Sequence, residues 1–391
     1  MKILKKGLCG GGMKDKIISF LLISIIIAIV GIIVYIGYMV YTDISKDGRI
    51  EINFESETGF PTIEYIPSTR ETIDVILNEE MFEGVESSNM TSKKEPQGES
   101  KQIQSRYLYQ QLDDIAKAIY VKLYNNKENL KTGTYTVEFD DAFQSLLLEE
   151  GGDDKLKTQY QSAIEALVYE NPDIFYLDVT KMYINIEKIT KITGTKYNVY
   201  INNGNDITYL SEGFYCKEDV ELYENEIKQI KNRIVANLQG KTDYEKIKIV
   251  HDYLIDTIEY DEGVSGRNTY DVYGALVNKR CVCEGYAKAF QYLMNELGIE
   301  NTIVIGTGTN SKNQTENHAW NYVKIDNKWY AIDVTWDDPI LLDGATLTNK
   351  SRYEYFLKGS NTMNENHFPS GKFTQKGQIF KYPVLSVEDY K

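Results

Sequence analysis

A cysteine, a histidine and an aspartate spread over residues 283 to 333 are the side chains of this sequence best suited to joint chemistry. A thiolate is a nucleophile, an imidazole can take and return its proton, and a carboxylate can fix which ring nitrogen does so. Cys283, His318 and Asp333 thus supply the parts of nucleophilic attack on an acyl carbon. Three such residues co-occur by chance in many chains, so the elements that carry them decide whether they can meet.

Cys283 stands at the start of a helical pattern. Ala287, Phe290, Leu293, Met294 and Leu297 follow it at spacings of three and four, and Gly298 supplies a stop. At a helix N-terminus the dipole and the free backbone N–H groups favour a thiolate, and the same N–H groups can receive an oxyanion. His318 and Asp333 lie on two β-rich runs, His318 to Ile325 and Lys328 to Trp336, separated by Asp326-Asn327. A two-residue loop there predicts a hairpin in which Ile325 faces Lys328 and Trp320 faces Asp333. His318 is then a diagonal neighbour of Asp333 on one face, roughly 7–8 Å away between backbones. A slip of one residue would send the two to opposite faces.

The three tryptophans, Trp320, Trp329 and Trp336, all belong to this hairpin. Trp329 reads as sheet core, whereas Trp320 and Trp336, beside the proposed pair, are equally consistent with core and with an aromatic wall that dries a site and holds a peptide. Upstream, Thr242 or Asp243 caps a predicted helix to about Glu259 in which His251 shares a face with Tyr244, Ile247, Leu254 and Ile258. His251 therefore reads as a buried, hydrogen-bonded core histidine. Cys281 and Cys283 resemble half of a zinc site, but no second cluster completes four ligands, so no metal is expected. A disulfide between them is strained by their spacing, and Cys216 is the other thiol that oxidation could recruit.

The words Val-Cys-Glu-Gly-Tyr-Ala at 282–287, His-Ala-Trp-Asn at 318–321 and Asp-Val-Thr-Trp-Asp-Asp-Pro at 333–339 resemble, in order and spacing, the core of the transglutaminase-like superfamily, especially its bacterial, papain-like cysteine peptidase relatives. The resemblance covers about Asp243 to Pro339 and extends toward Tyr390. It implies an α+β papain/transglutaminase-like core with a nucleophile helix packed on an antiparallel sheet, and it carries the nucleophile to Cys283, the histidine to His318 and the acid to Asp333. Cys281 does not match, because the Glu-Gly-Tyr-Ala of the family follows Cys283. Tyr273 is a candidate oxyanion or substrate contact, as are Trp320 and Trp336. Animal members need calcium, but the alternating acidic ligands of a calcium loop are missing here, and Asp337-Asp338 reads as a solvated turn; no cofactor is expected.

Around this core the chain is long, acidic and divided. Its 391 residues allow more than one compact domain, and a net charge of -15 disfavours nucleic acid as a partner. Residues 1–16 form a basic tail, and Ile17 to Val40 run 24 residues without a charge, enough for a hydrocarbon core of roughly 30 Å. The apolar stretch is too long for a signal peptide and ends in Tyr38, Met39, Val40 and Tyr41, so 17–41 is expected to be an uncleaved signal-anchor with a cytoplasmic N-terminus. Residues 42–104 read as an acidic, partly disordered tether, with strand-like alternation in Ile50 to Ile66. Residues 105–238 read as a small α+β domain without a chemical motif, and 239–391 as the catalytic domain.

The expected function is therefore that of a membrane-anchored extracellular thiol enzyme working on amides of proteins, peptides or peptidoglycan. Water as acceptor makes it a peptidase or amidase, an amine makes it a cross-linking transglutaminase, and a catalytically silent binding module on the same fold is the alternative of another class.

Overall fold

The Asp326-Asn327 turn organises the sheet that carries the histidine and the aspartate. Both residues have left-handed φ, 49° and 60°, as a two-residue hairpin of the I′ kind requires. Strand Thr315–Ile325 pairs antiparallel with Lys328–Ile332 from Ile325↔Lys328 to Asn321↔Ile332, the register the sequence predicts. On its other side Thr315–Ile325 pairs with Asn301–Thr309, which in turn pairs with the short strand His367–Pro369. Although rich in Gly and Asn, the residues just before His318 are thus largely strand. Their glycines, Gly306 and Gly308, sit in Asn301–Thr309 where neighbouring groups come too close for a side chain.

The computed structural model describes residues 48–53, 62–67, 70–72, 106–191, 194–261, 263–264, 266–310, 313–338, 352–374 and 376–391. The expected basic tail and signal-anchor, and most of the expected tether, lie outside them. Among the described residues no helix is long and apolar enough to cross a membrane.

The chain divides into two compact units. One comprises the described residues among 48–72, 140–144 and 186–199. Its strands Gly48–Asn53 and Thr62–Pro67 pair antiparallel, and the Gln144 side chain mimics a strand edge by accepting from Tyr197 N at 2.8 Å and donating to Thr195 O at 3.2 Å. The other comprises the described residues among 106–139, 145–185 and 200–391, so most of the predicted small domain shares a unit with the predicted catalytic domain.

Within that second unit the helices start at capping residues, the one at Thr242 as predicted. Asp113 accepts from Ala116 N at the head of Asp114–Asn125, and Thr242 with Glu245 forms a full capping box at the head of Asp243–Thr257. Helix Gly152–Glu170 is lined by Leu156, Tyr160, Ile164 and Leu167 and ends at Asn171-Pro172. Polar ties connect the early and late segments: Gln378 N donates to Ser162 Oγ, and Lys231 pairs with Glu296 at 2.9 Å.

Helix Cys283–Glu296 sits against the four-stranded sheet. Tyr286, Ala287, Phe290, Leu293 and Met294 are buried, and each large apolar side chain so buried contributes about 1.5–3 kcal/mol. The small residues Ala287 and Ala319, with Ile303 between strand and helix, allow close approach, and Asn321 Nδ2 donates to Ala287 O at 3.0 Å. That bond fixes the height of the helix on the sheet. A helix packed on an antiparallel sheet is the α+β arrangement that the resemblance implies for the core.

Candidate active site

Cys283 is the first residue of its helix and half-buried, whereas Cys281 is fully buried in the short parallel pairing of Glu259–Tyr260 with Arg280–Cys281. Burial holds the Cys281 thiol well above the ordinary range, so Cys281 is the inert thiol of the pair. Gly285 makes this arrangement possible: a Cβ there would come within 2.5 Å of Cys281 Cβ and 2.8 Å of Thr269 O. The glycine in the Cys-Glu-Gly-Tyr word is therefore a requirement of close packing under the helix start.

His318 and Asp333 meet as the register predicts. His318 Nε2 lies 2.6 Å from Asp333 Oδ2, with both residues buried. The other oxygen, Oδ1, accepts from the N–H groups of Thr335 and Trp336 at 3.0 and 3.1 Å. Burial raises the cost of charge on Asp333, but the two histidines that face it hold its carboxyl well below the usual range. For His318 burial opposes the cation, yet Asp333 and a hydrogen bond to Cys283 outweigh it and push the imidazole up to about 10. With Nε2 on the carboxylate, Nδ1 is left for the sulfur. The three residues are thus brought together, and an imidazole so held can accept and return a thiol proton.

A residue without a place in the sequence reading joins them. His367, on the last strand of the sheet, directs Nε2 to the same Asp333 Oδ2 at 2.9 Å, while its Nδ1 lies 2.6 Å from Asn366 Oδ1. The chain has only three histidines, and His367 lies just before Phe368-Pro369, but no local pattern ties it to the hairpin; pairing of His367 with Gly308 does so in space. His318, Asp333 and His367 are the group of described residues whose donor atoms, within 4.8 Å of one another, cluster as metal ligands do. Because one carboxylate oxygen already takes a hydrogen bond from each ring, a metal would have to displace both protons to bind.

Aromatic rings close around these histidines. Trp320 is buried and stacks on His318 with ring centres 5.8 Å apart, and it meets His367 edge-on at 5.1 Å. Trp336 lies 5.1 Å from His318 and 4.5 Å from His367, in a space opened by Gly308, where a Cβ would strike the indole at 2.7 Å. Trp329 is half-buried against the core cluster of Trp320 and Tyr322, as the core reading expects. Tyr273 is not brought to this group. Its ring packs with Phe175, Phe214 and Tyr223, and its hydroxyl faces Glu226 at 3.4 Å.

Two further expectations resolve differently. His251 is buried and hydrogen-bonded as a core histidine, with Nδ1 3.2 Å from Asp252 Oδ1 and Nε2 3.0 Å from Asp337 Oδ2. That bond overturns the reading of Asp337-Asp338 as a solvated turn. Asp337 is fully buried, accepts from Tyr355 N at 2.8 Å, and burial pushes its carboxyl up to about 6; Asp338 accepts from Tyr286 OH at 2.6 Å. Paired acids read as solvated because nothing near them in sequence can neutralise them. Here the partners come from helices formed 50 to 90 residues earlier.

Residues 228–334, which hold Cys283, His318 and Asp333, match the family model of the transglutaminase-like superfamily, whose members are usually cysteine peptidases or acyltransferases. Among named relatives, the kyphoscoliosis peptidase of Homo sapiens is 26% identical over 184 residues, 42% of this chain and 27% of that protein. The Mus musculus protein of the same name is 26% identical over 181 residues, covering 43% and 27%. The chain therefore matches about a quarter of the length of these relatives. Of solved structures, a TGase is similar at 17% identity with a TM-score of 0.28, over 46% of this chain and 50% of that one. The periplasmic domain of TgpA from Pseudomonas aeruginosa is similar at 12% identity and 0.23, over 40% and 72%.

Proposed function

We propose that this protein is a thiol enzyme that transfers the acyl group of an amide to water, a cysteine peptidase or amidase, with Cys283 as nucleophile, His318 as proton carrier and Asp333 as the acid that orients it. The observation that carries this reading is the buried 2.6 Å contact of His318 with Asp333 beside Cys283, the first residue of a helix, whose thiol helps to raise the imidazole. In the forward step the sulfur attacks the carbonyl carbon, and the oxyanion is received by N–H groups of the helix's first turn. The imidazolium then protonates the departing amine, leaving a thioester that water, activated by the same imidazole, hydrolyses. Trp320 and Trp336 serve by excluding bulk water from the imidazole, which strengthens its pairing with the carboxylate.

The reading places the enzyme on a membrane through residues 17–41, with the site outside the cell and peptides, proteins or peptidoglycan as substrates; the basic tail, the 24 uncharged residues and the acidic remainder support that topology. Two measurements on the full chain test it. Iodoacetamide should alkylate Cys283 at pH 6 at least about tenfold faster than free cysteine, and His318→Ala should remove that advantage. Incubation with peptide libraries and cell-wall fragments beside Cys283→Ala should yield products from the native chain alone. Hydrolysed ends identify water as acceptor, whereas isopeptide cross-links identify an amine. If Cys283 alkylates no faster than free cysteine and His318→Ala changes nothing, the catalytic reading loses its basis.

A further inference from the structure

The predicted small domain carries no chemical motif, but its helix Gly152–Glu170 lines a cavity of about 460 Å³ together with the helix that begins at Cys283. From the first helix come Glu165, Val168 and Tyr169, from the second Glu284 and Lys288, and from the C-terminal segment Phe373 and Thr374. Tyr169 links cavity and nucleophile, since it packs on the same cluster of Ala287, Ile303 and Ala319 as Cys283 does. All of these residues belong to one compact unit.

Glu165 is the anomaly in this wall. It is 1% exposed; one carboxyl oxygen, Oε1, accepts from Thr374 Oγ1, and the other, Oε2, has no hydrogen-bond partner among the described residues. A buried carboxyl with an orphan oxygen is costly, and burial pushes it up to about 8 despite Thr374 and the Lys372 charge. The other charged groups of the lining already have partners: Asp178 pairs with Lys181 at 2.7 Å, Glu212 with Arg267 at 3.9 Å and Glu284 with Lys288, while Asp271 accepts from Asn268 and from the N–H groups of Tyr273 and Gly274. Tyr169 and Phe373, stacked on each other with ring centres 4.3 Å apart, and Tyr270 line the approach. An orphan buried acceptor beside aromatic side chains matches a primary ammonium on an aliphatic stem.

We infer that this cavity is a specificity subsite that takes a lysine-like side chain of the peptide substrate, with its ammonium donating to the free oxygen of Glu165 and its stem against Tyr169 and Phe373. The inference rests on the proposed thiol chemistry at Cys283 and names the substrate class for it.

The test uses two affinity probes on the full chain, N-chloroacetyl-lysine methylamide and its norleucine counterpart, which has a stem and no ammonium. Mass mapping follows their reaction with Cys283, and iodoacetamide serves as the probe without a side chain. The lysine probe should react at least about tenfold faster than the norleucine probe, the gain of a hydrogen bond to a charged group. Glu165→Gln should bring the two rates together while leaving the iodoacetamide rate unchanged. In the unaltered protein, n-butylamine should slow the lysine probe and spare iodoacetamide, which keeps the test informative if the variant fails to fold. Equal rates for both probes, with Cys283 still enhanced toward iodoacetamide through His318, would overturn the subsite and leave the thiol chemistry standing. Loss of the iodoacetamide enhancement itself would instead strike the proposed function.

Discussion

Replacing Asp333 with asparagine removes one negative charge from a site where two imidazoles converge on a single oxygen, and its effect on His318 can be worked through. The contact of His318 Nε2 with Asp333 Oδ2 is buried and 2.6 Å long, and it outweighs burial to hold the imidazolium up to about 10. A hydrogen bond to a charged partner contributes about 1.5–3 kcal/mol, and at about 1.4 kcal/mol per pH unit its loss lowers the titration midpoint by about 1–2 units. Asp333→Asn should therefore move His318 from about 10 to about 8–9, with burial pulling it further down. The sign for stability follows. Because the folded value lies above the unfolded one, the pair stabilises the protein fully below the unfolded value of about 6.5, and that contribution fades as pH rises through about 10. Only three histidines are present, so long-range proton–nitrogen NMR resolves each ring, with His251, which does not touch Asp333, as internal reference. A wild-type His318 that titrates near about 6.5, or one that shifts by less than about half a unit in Asp333→Asn, would refute the reasoning.

Other substitutions probe the frame around the site. Gly285→Ala forces a methyl into Cys281 and the Thr269 carbonyl and should cost about 1–3 kcal/mol in urea unfolding, with slower Cys283 alkylation. His251→Phe should cost about 3–5 kcal/mol, because it leaves the fully buried Asp337 without its cation, and calorimetry would register this as a lower Tm. Glu165 and Glu170 are both pushed up to about 8 by burial. The unfolded chain loses protons that the folded chain keeps, so stability should fall as pH rises from about 4.3 toward 8, by at most about 1.4 kcal/mol per unit for each group. Denaturation series at pH 5, 6, 7 and 8 would reveal the slope, and a flat profile would count against it.

What the sequence by itself determined lies where the determining forces are local. Helical spacing after Cys283 and the stop at Gly298 define the nucleophile helix, and the need for left-handed φ at two adjacent residues marks Asp326-Asn327 as the turn. Once that turn is placed, the two-residue side-chain period carries His318 and Asp333 to one face without any long-range information. The caps at Asp113 and Thr242 and the burial of His251 follow from equally short patterns.

Tertiary structure alone decided the groups whose partners are far away along the chain. His367 reaches Asp333 only because a strand 34 residues later pairs at the sheet edge, and no periodicity encodes that meeting. Asp337 reads as solvated until the helix bearing His251, 86 residues earlier, is packed against it. Glu165 and Thr374, 209 residues apart, form one wall of a cavity beside the nucleophile helix. Buried polar groups demand partners, but the demand does not name them; chain packing does, and it is there that the character of this site was set.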